Sequence, residues 1–109
     1  MTTGWTRITS FASVPDGRGL RIEAGEHRVA VFRIGEEVHA IGDRCSHAEA
    51  SLSEGDLFDT EVECPRHGAS FDICSGKPVS LPATQPVPVY QTKIEDGELY
   101  LLLVDEEEL

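Results

Sequence analysis

Near the middle of the 109-residue chain lie four side chains of the types that bind soft and borderline metals. They occur as Cys45-Ser46-His47 and Cys64-Pro65-Arg66-His67, which is C-x-H, an intervening stretch over 48–63, then C-x-x-H. Two thiolates and two imidazoles make a complete four-ligand set. Zinc accepts such a set, but zinc modules usually take two ligands of one type from each knuckle. Here each knuckle supplies one of each. That arrangement suits a two-iron cluster held between two loops, with Cys on one iron and His on the other. The remaining candidates read as ordinary structure. Cys74 has no histidine at ligand spacing and reads as a spare thiol. His27 and His39 sit in strand-like runs and read as face residues. Asp43 has two readings of equal weight, a hydrogen bond near the first loop and ordinary turn chemistry.

The elements around these motifs are short and β-prone. Helical periodicity is absent, and apolar or alternating runs bounded by turn residues recur along the chain. Strands are expected at Trp5 to Phe11, Leu20 to Glu23, Val29 to Ile34, Val38 to Ile41, Val62 to Cys64 and Ser70 to Asp72. Val14-Pro15-Asp16-Gly17, Gly35-Glu36-Glu37 and Ser75-Gly76-Lys77 read as turns. Asp43 to Asp59 reads as one long loop. Pro78 to Pro88 holds four prolines and cannot be a central strand. Val87 to Ile94, Asp96-Gly97 and Glu98 to Val104 form a hairpin signal, because Asp-Gly suits a tight two-residue turn. Trp5, Phe32 and Phe58 read as core. The fold class is therefore all-β, a sandwich or small barrel in one domain spanning 1–109.

Charge narrows the function classes. Nine basic residues against twenty acidic ones give a formal −11. Phosphate backbones and anionic headgroups repel such a chain, which argues against nucleic-acid and membrane-surface binding. A partner with a basic surface is the natural counterpart. The acidic tail Asp105 to Glu108 reads as solvated. The N-terminus lacks a signal peptide's apolar core. The longest apolar run, Leu99 to Val104, suits a strand rather than a bilayer. These features predict a soluble, cytoplasmic protein. An odd number of cysteines argues against a disulfide scaffold.

Cys45-Ser46-His47 and Cys64-Pro65-Arg66-His67-Gly68 resemble the paired signatures of Rieske proteins, and the resemblance runs through Ser70-Phe71-Asp72 to the final hairpin. Size and the absence of an anchor look like the soluble Rieske-type ferredoxins of aromatic-ring dioxygenase systems. The resemblance implies a Rieske fold with a small cluster-binding subdomain at roughly residues 42–80. It implies one [2Fe–2S] cluster, with Cys45 and Cys64 on the inner iron and His47 and His67 on the outer. It implies a one-electron carrier between a flavin-dependent ferredoxin reductase and a terminal non-haem iron oxygenase, rather than a catalyst on its own. Pro82, Pro86 and Pro88 are implied as a stiff cover over the cluster. A nitrite reductase small subunit, an iron–sulfur-assembly ferredoxin, a zinc-bound interaction module and a Rieske fold without metal are the alternatives.

The departures from the high-potential members are specific. Their paired extra cysteines correspond here to Ala50 and Arg66, so that cross-link cannot form. Their hydroxyl-bearing Ser and Tyr correspond to Ala69 and Phe71, which have no side-chain donor. Hydrogen bonds to sulfur favour the more negative, reduced cluster and raise its potential. Their loss predicts a potential toward the bottom of the Rieske range of about −150 to +300 mV.

Overall fold

The computed structural model describes residues 3–24, 27–43, 51–65, 70–79 and 86–104. Ten strands follow in chain order. β1 is Thr3–Ser10, β2 Gly19–Ala24, β3 His27–Ile34, β4 Glu37–Gly42 and β5 Asp56–Phe58. β6 is Glu61–Glu63, β7 Ser70–Asp72, β8 Val89–Tyr90, β9 Thr92–Glu95 and β10 Glu98–Val104. Only two short 3-10 turns, Phe11–Ser13 and Leu52–Glu54, interrupt the β structure of the described residues. The strands form three antiparallel sheets, β1-β10-β9, β2-β3-β4-β8 and β5-β6-β7.

β3 explains how the sheets stack. Its run Val29-Ala30-Val31-Phe32 is fully buried although neighbouring strand residues point to opposite faces. Val29 and Val31 join Val14, Val38, Ala40, Leu99, Leu101 and Leu103 in one core. Ala30 and Phe32 join Ile41, Leu52, Val62, Cys64, Phe71, Ile73 and Val87 in the other. The β2-β3-β4-β8 sheet is thus the middle layer, with apolar packing on both faces. Three-residue strands are marginal alone. The β5-β6-β7 sheet persists because its inner row, Leu57, Val62 and Phe71, packs into the second core. Each fully buried side chain of this size contributes about 1.5–3 kcal/mol.

Turn chemistry appears where the sequence places it. Gly17, Gly35, Gly76 and Gly97 all have positive φ. Asp96 (φ 51°) and Gly97 (φ 77°) join β9 to β10, both left-handed as a type I′ hairpin requires.

Three expectations need correction. Asp43 to Asp59 is not one loop: it holds the Leu52–Glu54 turn and β5. The Val87 to Ile94 strand is two strands parted at Gln91, because the chain crosses between layers: β8 pairs with β4, and β9 with β10. Trp5 and Phe58 are not core. They are 41% and 60% exposed, whereas Phe32 is fully buried. Strand parity is the reason. Leu101 and Leu103 face the core, so the alternate residue Leu102 and its register partner Trp5 face outward. The Trp5 ring instead lies under the Lys93 ammonium, 4.8 Å from the ring centre. Leu57 faces in, so Phe58 faces out.

Candidate metal centre

Both motif-bearing segments leave from the second core. The first runs from the end of β4 to Ser51. Asp43 anchors its start and is fully buried. The Asp43 N–H donates to the Arg28 carbonyl (3.0 Å), and the Asp43 carbonyl accepts from the Leu52 N–H (2.6 Å). Asp43 Oδ1 accepts from the Ser53 N–H (2.9 Å), and Oδ2 accepts from Arg28 Nη2 (3.3 Å). Arg28 Nη2 also donates to Ser51 Oγ (3.1 Å). The two ends of the 44–50 segment are therefore tied together at residues 43 and 51–53. Burial pushes the Asp43 carboxyl up. The Ser53 N–H, the Ser51 and Ser53 hydroxyls and the Arg28 charge outweigh that and hold it below the usual carboxylate range.

The second segment links β6 to β7. Glu63 and Ser70 form the last register pair at that end, so 64–69 is the connection between the strands. Cys64 is its first residue, and its side chain is 1% exposed. It lies in the same core as Leu52, which follows the first segment. The bases of the two segments thus share one packed core. A third segment is held close by. Val87 is buried in that core, its N–H donates to the Gly76 carbonyl (2.9 Å), and the Gly42 N–H donates to the Pro88 carbonyl (2.8 Å). Pro86 and Pro88 flank Val87 and are exposed. Residues 86–88 are thereby fastened where the first segment departs.

Of the four expected ligands, Cys64 is placed as described, while Cys45, His47 and His67 lie outside the described residues, as do Ala50, Arg66, Gly68, Ala69 and Pro82. Among the described residues no group of three or more metal-ligating side chains comes together. The donors present suit the group. A buried thiol such as Cys64 is inert on its own but becomes a ligand once a metal removes its proton.

The other candidates are accounted for locally. Cys74 is exposed on the turn after β7, with Sγ 3.7 Å from His39 Nε2 and its N–H donating to Asp72 Oδ1 (2.7 Å). Partial burial, the Asp72 charge and hydrogen bond, and the Glu37 charge raise its thiol pKa. His39 Nε2 also lies 3.4 Å from Glu37 Oε1. His27 Nδ1 shares a hydrogen bond with the Tyr90 hydroxyl at 3.1 Å. Both histidines are strand-face residues, as expected. Of the two readings of Asp43, hydrogen bonding at the first segment is the one the structure bears out, while its partners Arg28 and Ser51 were overlooked. A strand-end acid and a strand arginine look ordinary until the register joins them.

The pattern of the Rieske [2Fe–2S] domain family matches residues 4–91. The chain belongs to that family. Its cofactor is accordingly a Rieske-type [2Fe–2S] cluster. This Rieske domain is 47% identical over 91 residues to the 3-phenylpropionate/cinnamic acid dioxygenase ferredoxin subunit of Escherichia coli (strain K12), covering 83% of this chain and 85% of that one. It superposes on the Sphingomonas yanoikuyae B1 ferredoxin with a TM-score of 0.87 at 32% identity, over 93% of this chain and 100% of that one. The ferredoxin solved in complex with reduced oxygenase, from carbazole 1,9a-dioxygenase, gives a TM-score of 0.85 at 36% identity. The match covers 90% of this Rieske domain and 92% of that chain.

Proposed function

We infer that the chain is the one-electron ferredoxin of a multicomponent oxygenase system, working in the cytoplasm between a flavin-dependent reductase and a terminal non-haem iron oxygenase. Cys45 and Cys64 hold one iron of the cluster, and His47 and His67 hold the other, within a lobe at about residues 42–80. When bound, the cluster supplies a one-electron redox couple. One observation carries this reading: Leu52 and Cys64, at the bases of the two motif-bearing segments, are packed in one core. The likeness to dioxygenase ferredoxins supports the choice of oxygenase over nitrite reductase.

The partner's chemistry follows from the neighbouring sheet. Register places Asp56 opposite Glu63, and Glu61 opposite Phe58 and Asp72, on the outer face of β5-β6-β7. That face joins the Cys64 loop directly and carries an exposed Phe58 among carboxylates. A basic docking surface with an apolar spot complements it.

The test is the purified, air-protected protein. It should be red-brown and hold two iron and two acid-labile sulfide per chain, as a [2Fe–2S] cluster requires. Cys45→Ser, His47→Ala, Cys64→Ser and His67→Ala should each abolish the spectrum, while Cys74→Ser leaves it intact. A colourless protein containing zinc would overturn the reading. The midpoint potential should fall toward the bottom of the range of about −150 to +300 mV, and Ala69→Ser should raise it. A parent midpoint well above zero contradicts the argument from missing donors.

A further inference from the structure

The tie at the base of the first loop is more elaborate than a turn needs. A plain turn would be closed by the one backbone hydrogen bond from the Leu52 N–H to the Asp43 carbonyl. Here the structure adds a fully buried carboxylate, an arginine that reaches it from β3, and a serine at the loop's far end. A single nitrogen, Arg28 Nη2, binds both Asp43 on the entering side and Ser51 on the returning side. Arg28 Nε is buried and has no hydrogen-bond partner among the described residues. All the fixing of this guanidinium by Asp43 and Ser51 thus passes through Nη2. Arg21 Nε stands 3.9 Å from Asp43 Oδ2, at the edge of ion-pair range, while its Nη2 pairs with Glu23 Oε2 at 2.7 Å. Asp43 is fully buried while the Arg28 side chain is 36% exposed, so the cost of separating them falls on the carboxylate, which would be left buried without its cation.

We propose that Arg28 and Asp43 form a positioning pair that locks the two ends of the 44–50 loop and sets the charge balance beside the cluster. The proposal deepens the functional reading and rests on Cys45 and His47 of that loop being ligands. Two consequences separate. Geometry governs retention: a loop whose ends can part releases its metal, and loss of supporting groups around a metal site typically costs 10–100-fold in affinity. Charge governs potential. Removing the Asp43 carboxylate leaves Arg28 uncompensated and favours the more negative, reduced state. Removing the Arg28 charge does the opposite.

Three variants of the cluster-loaded protein test this: Asp43→Asn, Arg28→Gln and Arg28→Lys. Asp43→Asn keeps an oxygen for the Ser53 N–H but loses the charge. Arg28→Lys keeps the charge, but its ammonium ends one bond short of Nη2. Iron release to a chelator should be at least tenfold faster in all three. The midpoint potential should rise in Asp43→Asn, fall in Arg28→Gln and stay in place in Arg28→Lys. A purely structural role would speed release without moving the two potentials in opposite directions. Should Asp43→Asn fail to fold, the two Arg28 variants carry the test, since retention and potential must then part company between them. Release less than tenfold faster in the folded variants, or potentials that do not follow this pattern, overturns the proposal. A Cys45→Ser protein that retains as much iron as the parent overturns the ligand assignment beneath it, and is read on a protein with Arg28 and Asp43 intact.

Discussion

Cys64 and Cys74 lie ten positions apart and have opposite surroundings. Cys64 is buried among Leu52, Val62 and Phe71, while Cys74 is exposed beside Asp72, Glu37 and His39. Partial burial raises the Cys74 thiol pKa, and the carboxylates add to that. The thiolate is the nucleophile, so a raised pKa leaves less of it at any given pH. Alkylation of Cys74 should therefore be slow at neutral pH and increase only as the pH climbs past the ordinary thiol range of about 8.5. Asp72→Asn should move that profile to lower pH. Mass spectrometry of the modified peptide against pH measures both. The motif spacing singled out the proposed ligands, and the lack of a ligand-spaced histidine in the sequence set Cys74 apart. The Asp43, Arg28 and Ser51 contacts were not legible, because three unremarkable residues meet only through strand register.

At the scale of the element, glycines with the same local freedom differ in what surrounds them. A Cβ at Gly97 would meet nothing within 4 Å. Gly97→Ala should therefore cost only the left-handed backbone penalty, about 1 kcal/mol. Gly55 has an ordinary negative φ of −79°, yet a Cβ there would overlap the carbonyl of Glu63. Gly55→Ala should cost about 1–3 kcal/mol by forcing β5 away from β6. Denaturant midpoints of the two variants measure the difference, and a smaller loss at Gly55 than at Gly97 would sink the packing argument. The Asp96-Gly97 turn was legible because its signal is local. The need for glycine at 55 was not, because the clashing atom belongs to another strand.

The whole molecule carries a formal −11, and the fold concentrates part of it. Asp56 faces Glu63, and Glu61 faces Asp72, across neighbouring strands. Like charges directly opposite are destabilising by a few tenths to about 1 kcal/mol. Glu61→Lys should accordingly stabilise the fold by that amount, read from thermal or denaturant unfolding at low salt. On the proposed role the same change should slow electron delivery at low salt, because it would weaken the attraction for a partner with the proposed basic surface. Added salt screens both effects, with a Debye length of about 10 Å at 0.1 M. Folding stability of the parent should rise with salt while turnover with the proposed reductase falls. Turnover indifferent to salt would remove the case for steering.

The amino-acid sequence alone determined the fold class, the turns and the proposed donor set, since alternation, turn residues and ligand spacing are encoded within a few neighbouring positions. It also determined the total charge, which is a sum and needs no geometry. The tertiary structure decided the rest. Strand parity turned Trp5 and Phe58 outward and Phe32 inward, and the middle sheet became apolar on both faces. Packing set Cys64 beside Leu52, and register brought Arg28 to Asp43 and Ser51. Those pairings join residues far apart in the chain, so no local pattern records them.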